Sequence, residues 1–449
     1  MTDVTFTWWL LFFVGGACLL PTAFILRNRR YDLFEPALWA IGYFAVLFVV
    51  RPLYDITFGS EFLGEFPFDA STVRAFQLSL IYACLGLFGF LLGYYSVAAR
   101  GVARLLPQMP AAWNVDAAKI LSLALVFGGC GVFAFHVISF GGVQSYLSGK
   151  AQILTEAGQG YQLLGVSLIT IGFALRLSLS KKGAADRLAD WVVAGILLAI
   201  GFASGSKGAF LMPLLIWMIV THYLKRRIRL SRILGLASLA ILMFPVFNVY
   251  RHAPSLLEAA PEILDMGASG AASELLVRHG MSRFYGIDSL TIIVRDTPDV
   301  MDYQLGQTVY PLFVAWVPRQ LWEDKPVISF GKIFAEQHLG DFFFGTGVSG
   351  SPTILGEAYL NWHVPGMLAI VFLAGFLVRV IYVWLVHQNF GAPAIFIYSQ
   401  LFLYLFTFWE ASIAGLIAER LAGFVLLLLV VLIAGVRPGA MVRVNGLEI

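Results

Sequence analysis

Charge is what this chain has least of. Only 13% of its 449 residues are Asp, Glu, Lys or Arg, while 59% are hydrophobic, a balance that argues against a water-soluble fold. Cysteine is scarce too. Cys18, Cys84 and Cys130 all fall inside apolar runs, and they build neither a disulfide framework nor a metal site. The chain has no Asp-x-Asp triplet, no metal-ligand cluster and no Rossmann-type glycine fingerprint between a strand and a helix. It carries no nucleic-acid-binding module. The first apolar run lacks the basic leader and small-residue cleavage site of a signal peptide, so it reads as a retained span.

What is present is a succession of apolar runs. Crossing a hydrocarbon core of about 30 Å takes roughly 20 helical residues. About eleven runs of that order follow one another: 7 to 26, 33 to 50, 75 to 98, 117 to 140, 161 to 180, 188 to 204, 208 to 224, 233 to 250, 364 to 386, 393 to 410 and 413 to 436. They contain Gly and Pro and lack strand-like alternation, so helices must satisfy the backbone inside lipid. The expected fold class is all-α, a polytopic integral membrane helix bundle. Its organisation reads as an N-terminal transmembrane bundle over 1–250, a large loop over 251–352 and a C-terminal transmembrane bundle over 353–449.

Cations fall in alternate loops: Arg27, Arg29 and Arg30; Arg100 and Arg104; Lys181, Lys182 and Arg187; Lys225, Arg226, Arg227, Arg229 and Arg232; and Arg437 and Arg443 at the end. The positive-inside rule assigns these to the cytoplasm and the long 251–352 segment to the opposite side. The net charge of +3 is accounted for by this sidedness and by anionic lipid, with no nucleic acid needed.

The long segment holds the residues with chemistry. Residues 306 to 317 are short and apolar, as suits a re-entrant or interfacial piece. Val317-Pro318-Arg319-Gln320-Leu321-Trp322-Glu323-Asp324-Lys325-Pro326 follows, two prolines bracketing two cations, two carboxylates and an indole. A guanidinium fork with a neighbouring ammonium suits a lipid diphosphate, and snorkelling cations beside a belt tryptophan are the alternative. Arg283 precedes an apolar stretch to Val294 and reads as capping an interfacial helix on the same surface. Phe342-Phe343-Phe344-Gly345-Thr346-Gly347-Val348-Ser349-Gly350 reads as a flap with an apolar tip, and lacks the lysine of a P-loop.

Gly356-Glu357-Ala358-Tyr359-Leu360-Asn361-Trp362-His363 leads into the ninth span, with Glu357 and Asn361 on one side of a helix. Glu357 is a candidate general base or a structural partner for a loop arginine, and His338 is a second candidate base. In the short hairpin Ser204-Gly205-Ser206-Lys207-Gly208, Lys207 sits at the outer surface, as a phosphate contact or a snorkelling lysine. Glu419 and Arg420, inside the last span, are expected to face the bundle interior, because lipid exposure of such charges costs about 2.5–3.5 kcal/mol.

Together the Ser204 to Gly208 hairpin, the Pro318-Arg319, Trp322 and Lys325-Pro326 cluster, and the Gly356-Glu357 with Tyr359-Asn361 segment resemble oligosaccharide repeat-unit polymerases of the Wzy type. Lys207 stands where many relatives carry arginine. The resemblance implies a bacterial inner-membrane, lipid-carrier-dependent glycosyltransferase with a GT-C-like architecture and its active site facing the periplasm. Its substrate would be an undecaprenyl-diphosphate-linked glycan, with no cofactor and no metal, and a chain-length regulator as a further partner. Arg319, Lys325 and Arg283 would then stabilise the leaving diphosphate, and Glu357, His338 or Glu323 would accept the hydroxyl proton. Lys207, Trp322, Tyr359 and Asn361 would hold substrate. An O-antigen-ligase-like transferase and a lipid-linked glycan transporter or flippase are the alternative readings.

Overall fold

A computed structural model describes residues 2–27, 31–59, 63, 69–149, 159–179, 183–253, 258, 260–261, 281, 284–315, 317, 321–322, 330–338 and 350–436. Among the described residues the chain is all-α apart from a two-residue antiparallel pairing of Ala112–Trp113 with Gly435–Val436. The principal helices are α1 Thr2–Arg27, α2 Pro36–Phe58, α3 Ala70–Tyr94, α4 Val115–Ser139, α5 Gln159–Ser178, α6 Ala184–Ala203, α7 Lys207–Leu224, α8 Leu230–His252, α9 Gly286–Asp296, α10 Phe330–His338, α11 Thr353–Tyr382, α12 Ala392–Leu401 and α13 Ile413–Ala434. Each of the eleven apolar runs read from the sequence coincides with helix. Among the described residues seven helices are long and apolar enough to cross a membrane, and Ala392–Leu401 with Tyr404–Glu410 makes an eighth if that bent pair is one span. The protein is a polytopic helical membrane protein.

Compactness divides the chain differently from the sequential order of spans. One unit comprises Met1–Leu106, Met281–Val383 and Phe402–Ala422; the other comprises Pro107–Gly280, Trp384–Leu401 and Gly423–Ile449. The described residues of the long segment from Met281 onward thus belong to the same unit as the first three long helices.

In the first unit, α3 and α11 approach until backbones touch. A Cβ on Gly93 would lie 2.0 Å from the Phe372 carbonyl oxygen, and one on Gly375 would lie 2.1 Å from that of Phe90. Association inside lipid relies on such close van der Waals contact, because lipid tails are as apolar as the side chains. The two helices do not run together throughout. Tyr82 stacks near Tyr359 and Gly86 faces Leu355, so partner numbers fall as α3 advances; beyond this point Gly89 meets Leu368 and Gly93 meets Phe372, and they rise. The chain of α11 turns back at Trp362 and His363, whose backbones are non-helical.

Helix α9, expected at the interface, is enclosed by its own unit. Every residue from Gly286 to Val294 is buried. Two of its polar groups are met inside the unit: Thr291 Oγ1 donates to the Ile287 carbonyl at 2.8 Å, and Asp288 receives Arg51. The expected re-entrant stretch 306 to 317 is a turn followed by the short helix Pro311–Val314.

The second unit uses the same packing device. A Cβ on Gly129 of α4 would lie 2.7 Å from the Gly165 carbonyl oxygen of α5. Trp113 Nε1 donates to Ser178 Oγ at 2.8 Å, and Lys119 pairs with Asp186 at 2.9 Å and Arg176 with Asp190 at 3.1 Å.

Candidate functional site

The first half of α11 carries the segment Gly356 to Asn361 and fixes a turn of the long segment against itself. Glu357 and Asn361, one helical turn apart, both point at residues 304–308. Thr308 Oγ1 donates to Glu357 Oε1 at 2.7 Å and accepts from Asn361 Nδ2 at 2.7 Å. Asn361 Oδ1 accepts from the Gly306 amide at 2.7 Å, and the Leu360 carbonyl accepts from the Gln304 amide at 3.0 Å. The other carboxylate oxygen, Oε2, accepts from the amide of Ile413 at 2.6 Å. It therefore caps the start of α13, where a helix has unsatisfied donors and favours negative charge. Glu357 and Asn361 are fully buried, where an unmet hydrogen-bonding group is costly.

Chemically, this is an ordered donor chain, from the Asn361 amide through the Thr308 hydroxyl to the Glu357 carboxylate. Each oxygen of Glu357 accepts one hydrogen bond and keeps a second lone pair that can take a proton. An imidazole stands closer to the exterior. His363 is exposed and lies 4.9 Å from the Tyr359 ring and 5.9 Å from the Tyr303 ring, centroid to centroid.

A second polar group lies where α2 meets α9. The Arg51 Nε donates to Asp288 Oδ2 at 3.0 Å and lies 3.1 Å from Asp55 Oδ1, and its Nη1 donates to the Met281 carbonyl at 2.7 Å. All three charged side chains are fully buried. Nearby in the sequence, Ser351 donates its amide to Tyr285 Oη at 3.1 Å and its hydroxyl to the Glu410 carbonyl, while Tyr43 donates its hydroxyl to the Glu410 carboxylate. Arg379 pairs with Glu35 at 3.4 Å and sits over the Tyr94 ring at 5.0 Å.

Of the residues singled out from sequence, Glu357, Tyr359 and Asn361 are brought together with the 303–308 turn. Trp322 is half-buried beside exposed Leu321. His338 ends α10 against Phe334, ring centroids 5.7 Å apart; burial pushes its imidazole below the ordinary range, opposed by the charge of Asp296. Lys207 opens α7 in the second unit, just after Ser206, whose hydroxyl accepts from the Ala209 amide at 3.3 Å. Arg283, Arg319, Glu323 and Lys325 lie outside the described residues, as does the 342–349 flap. Among the described residues no group of three or more His, Cys, Asp or Glu is placed to hold a metal ion.

Sequence reasoning missed Thr308, Gly306 and the Arg51 cluster. Thr308 carried no signal, being one hydroxyl in an apolar stretch. Arg51 and Asp55 did carry one: opposite charges four apart at the end of an apolar run.

The fold and this buried polar interior define a polytopic helical membrane protein. Within that class the chain belongs to the family described as Domain of unknown function (DUF8712), whose model matches residues 132–436. No curated protein and no solved structure matches it.

Proposed function

We propose that this protein is a membrane glycosyltransferase that joins undecaprenyl-diphosphate-linked oligosaccharide repeat units on the periplasmic face of the bacterial inner membrane. A hydroxyl of the acceptor glycan attacks C1 of the donor glycan; the C1–O bond to the carrier breaks and the lipid diphosphate leaves. Arg319, Lys325 and Arg283 are assigned to the developing negative charge, where electrostatic stabilisation contributes most. The observation that carries the reading is the Gly356 to Asn361 segment, one of the three on which the family resemblance rests: its Glu357, Leu360 and Asn361 anchor the 304–308 turn through four hydrogen bonds. Glu357 remains the assigned base.

A lipid-linked glycan transporter is the second reading. It is favoured by the reversal of α11 at Trp362 and His363 and by the buried Arg51 group, since broken helices and buried polar residues mark many transport sites.

The test is purified protein in nanodiscs given lipid-linked repeat units extracted from the native host. A ladder of longer chains is expected, and Arg319→Ala is expected to lose it while inserting normally. Absence of any ladder from the wild-type protein, with translocation of the same lipid in vesicles, would replace the first reading by the second.

A further inference from the structure

The 302–308 turn and the α11 reversal place four aromatic rings in one staircase. Tyr82 and Tyr359 lie 5.4 Å apart, Tyr359 and His363 4.9 Å, and Tyr303 and His363 5.9 Å with the rings crossed at 65°. The Trp362 indole lies against Gly306 of the same turn, where a Cβ would lie 3.4 Å from Trp362 Cζ2. Trp362 is 37% exposed and His363 is also exposed, while Tyr82 and Tyr303 are half-buried. The staircase therefore has one open side.

Its rim is polar. Asp302 and Gln307 are exposed and Gln304 is half-buried, with Gln304 Nε2 held on the Asp302 carbonyl at 3.0 Å. The backbone that presents these groups is shaped for it: Leu305, Gly306 and His363 all have positive φ, at 47°, 97° and 56°. For Leu305 and His363 that conformation is strained, and such strain persists where surrounding bonds over-determine it. Here the bonds are those from Glu357, Leu360 and Asn361 to residues 304, 306 and 308.

Flat rings flanked by a carboxylate and two amides match one ligand chemistry well. A pyranose has apolar C–H faces that stack on aromatic rings and hydroxyl edges that hydrogen-bond to carboxylates and amides. An acyl chain would use the rings and leave the rim idle. We propose that Tyr82, Tyr303, Trp362 and His363, backed by the buried Tyr359 and with Asp302, Gln304 and Gln307 at the rim, form a subsite that stacks a sugar ring of the lipid-linked glycan. The assignment rests on the glycan-handling reading above. Tyr303, Trp362 and His363 are binding residues here, and Thr308 and Asn361 are positioning residues that hold the turn.

The experiment places the photo-crosslinker p-benzoylphenylalanine in the full-length chain in the native host, in place of Trp362, of Gln307 or, as control, of Leu377, which is 48% exposed on the later part of α11. After irradiation of living cells the chain is purified and its adducts are read by mass spectrometry. Saccharide-bearing adducts at 362 and 307 but not at 377 are expected. Acyl-lipid adducts alone at all three positions, or no carbohydrate at 362 and 307, would overturn the subsite.

A kinetic arm uses the same chain. Tyr303→Ala should raise KM for the lipid-linked repeat unit about 2- to 13-fold, the loss of one aromatic stack, with kcat little changed; Tyr303→Phe should stay near wild type. Equal KM in both variants and wild type would also overturn it. The glycosyltransferase reading fails separately, if cells lacking the chain still make their full surface polysaccharide. Saccharide adducts at 362 would then belong to a glycan-binding membrane protein of another class.

Discussion

Replacing Thr308 by valine keeps its shape and removes one oxygen from the centre of the donor chain. That oxygen serves two buried groups, donating to Glu357 Oε1 and accepting from Asn361 Nδ2, each at 2.7 Å. Two magnitudes compete. Hydrogen bonds between helices of membrane proteins average only about 0.6 kcal/mol. Hydrogen bonds to charged groups contribute about 1.5–3 kcal/mol, and leaving a buried partner unmet adds its desolvation. Both partners here are fully buried and one is a carboxylate, so Thr308→Val should cost about 2–3 kcal/mol. The assay is SDS-induced unfolding of the purified chain in mixed micelles, followed by helicity. Glu357→Gln, alone and combined with Thr308→Val, completes a double-mutant cycle. Coupling of at least about 1 kcal/mol is expected for residues in one network. A cost for Thr308→Val at or below about 0.6 kcal/mol, or additivity within about 0.5 kcal/mol, would refute the reasoning.

Arg51→Met leaves the Asp55 and Asp288 carboxylates buried without the guanidinium between them and should cost about 3–5 kcal/mol. Combining Arg51→Met, Asp55→Leu and Asp288→Leu should cost much less, because apolar replacement of a whole buried ion cluster is often near neutral; the same SDS titration compares them. His338 has a burial-lowered proton affinity in the folded chain, against an ordinary value of 6.5. The unfolded chain then takes up more protons, so the contribution of His338 to stability is complete above pH 6.5 and lost as pH falls through the lower folded value. His338→Gln should flatten the decline in thermal stability below pH 6.5, and an unchanged pH profile would refute it.

Some of the architecture was legible residue by residue. The apolar runs gave helices because backbone groups in lipid have to bond within their own segment, which needs no knowledge of neighbours. Glu357 and Asn361 were legible as a pair because helical periodicity puts i and i+4 on one face. The break at Trp362 and His363 was not, since nothing local forces it: Pro365 follows, but the reversal is held by Gly306, Gln304 and Thr308, more than fifty residues earlier in the chain.

The burial of α9 was also beyond local reading. Gly-Ile-Asp-Ser-Leu-Thr-Ile-Ile-Val-Arg-Asp carries enough charge and hydroxyl to suit an interface, and its Asp288 is tolerated inside only because Arg51 arrives from α2. By itself the sequence determined that the chain is helical, spans a membrane several times and concentrates its polar residues in one segment, since composition and period are local quantities. Tertiary structure decided which polar groups meet. A hydrogen bond between residues such as Thr308 and Glu357 depends on two backbones converging, and no pattern within either segment encodes that distance.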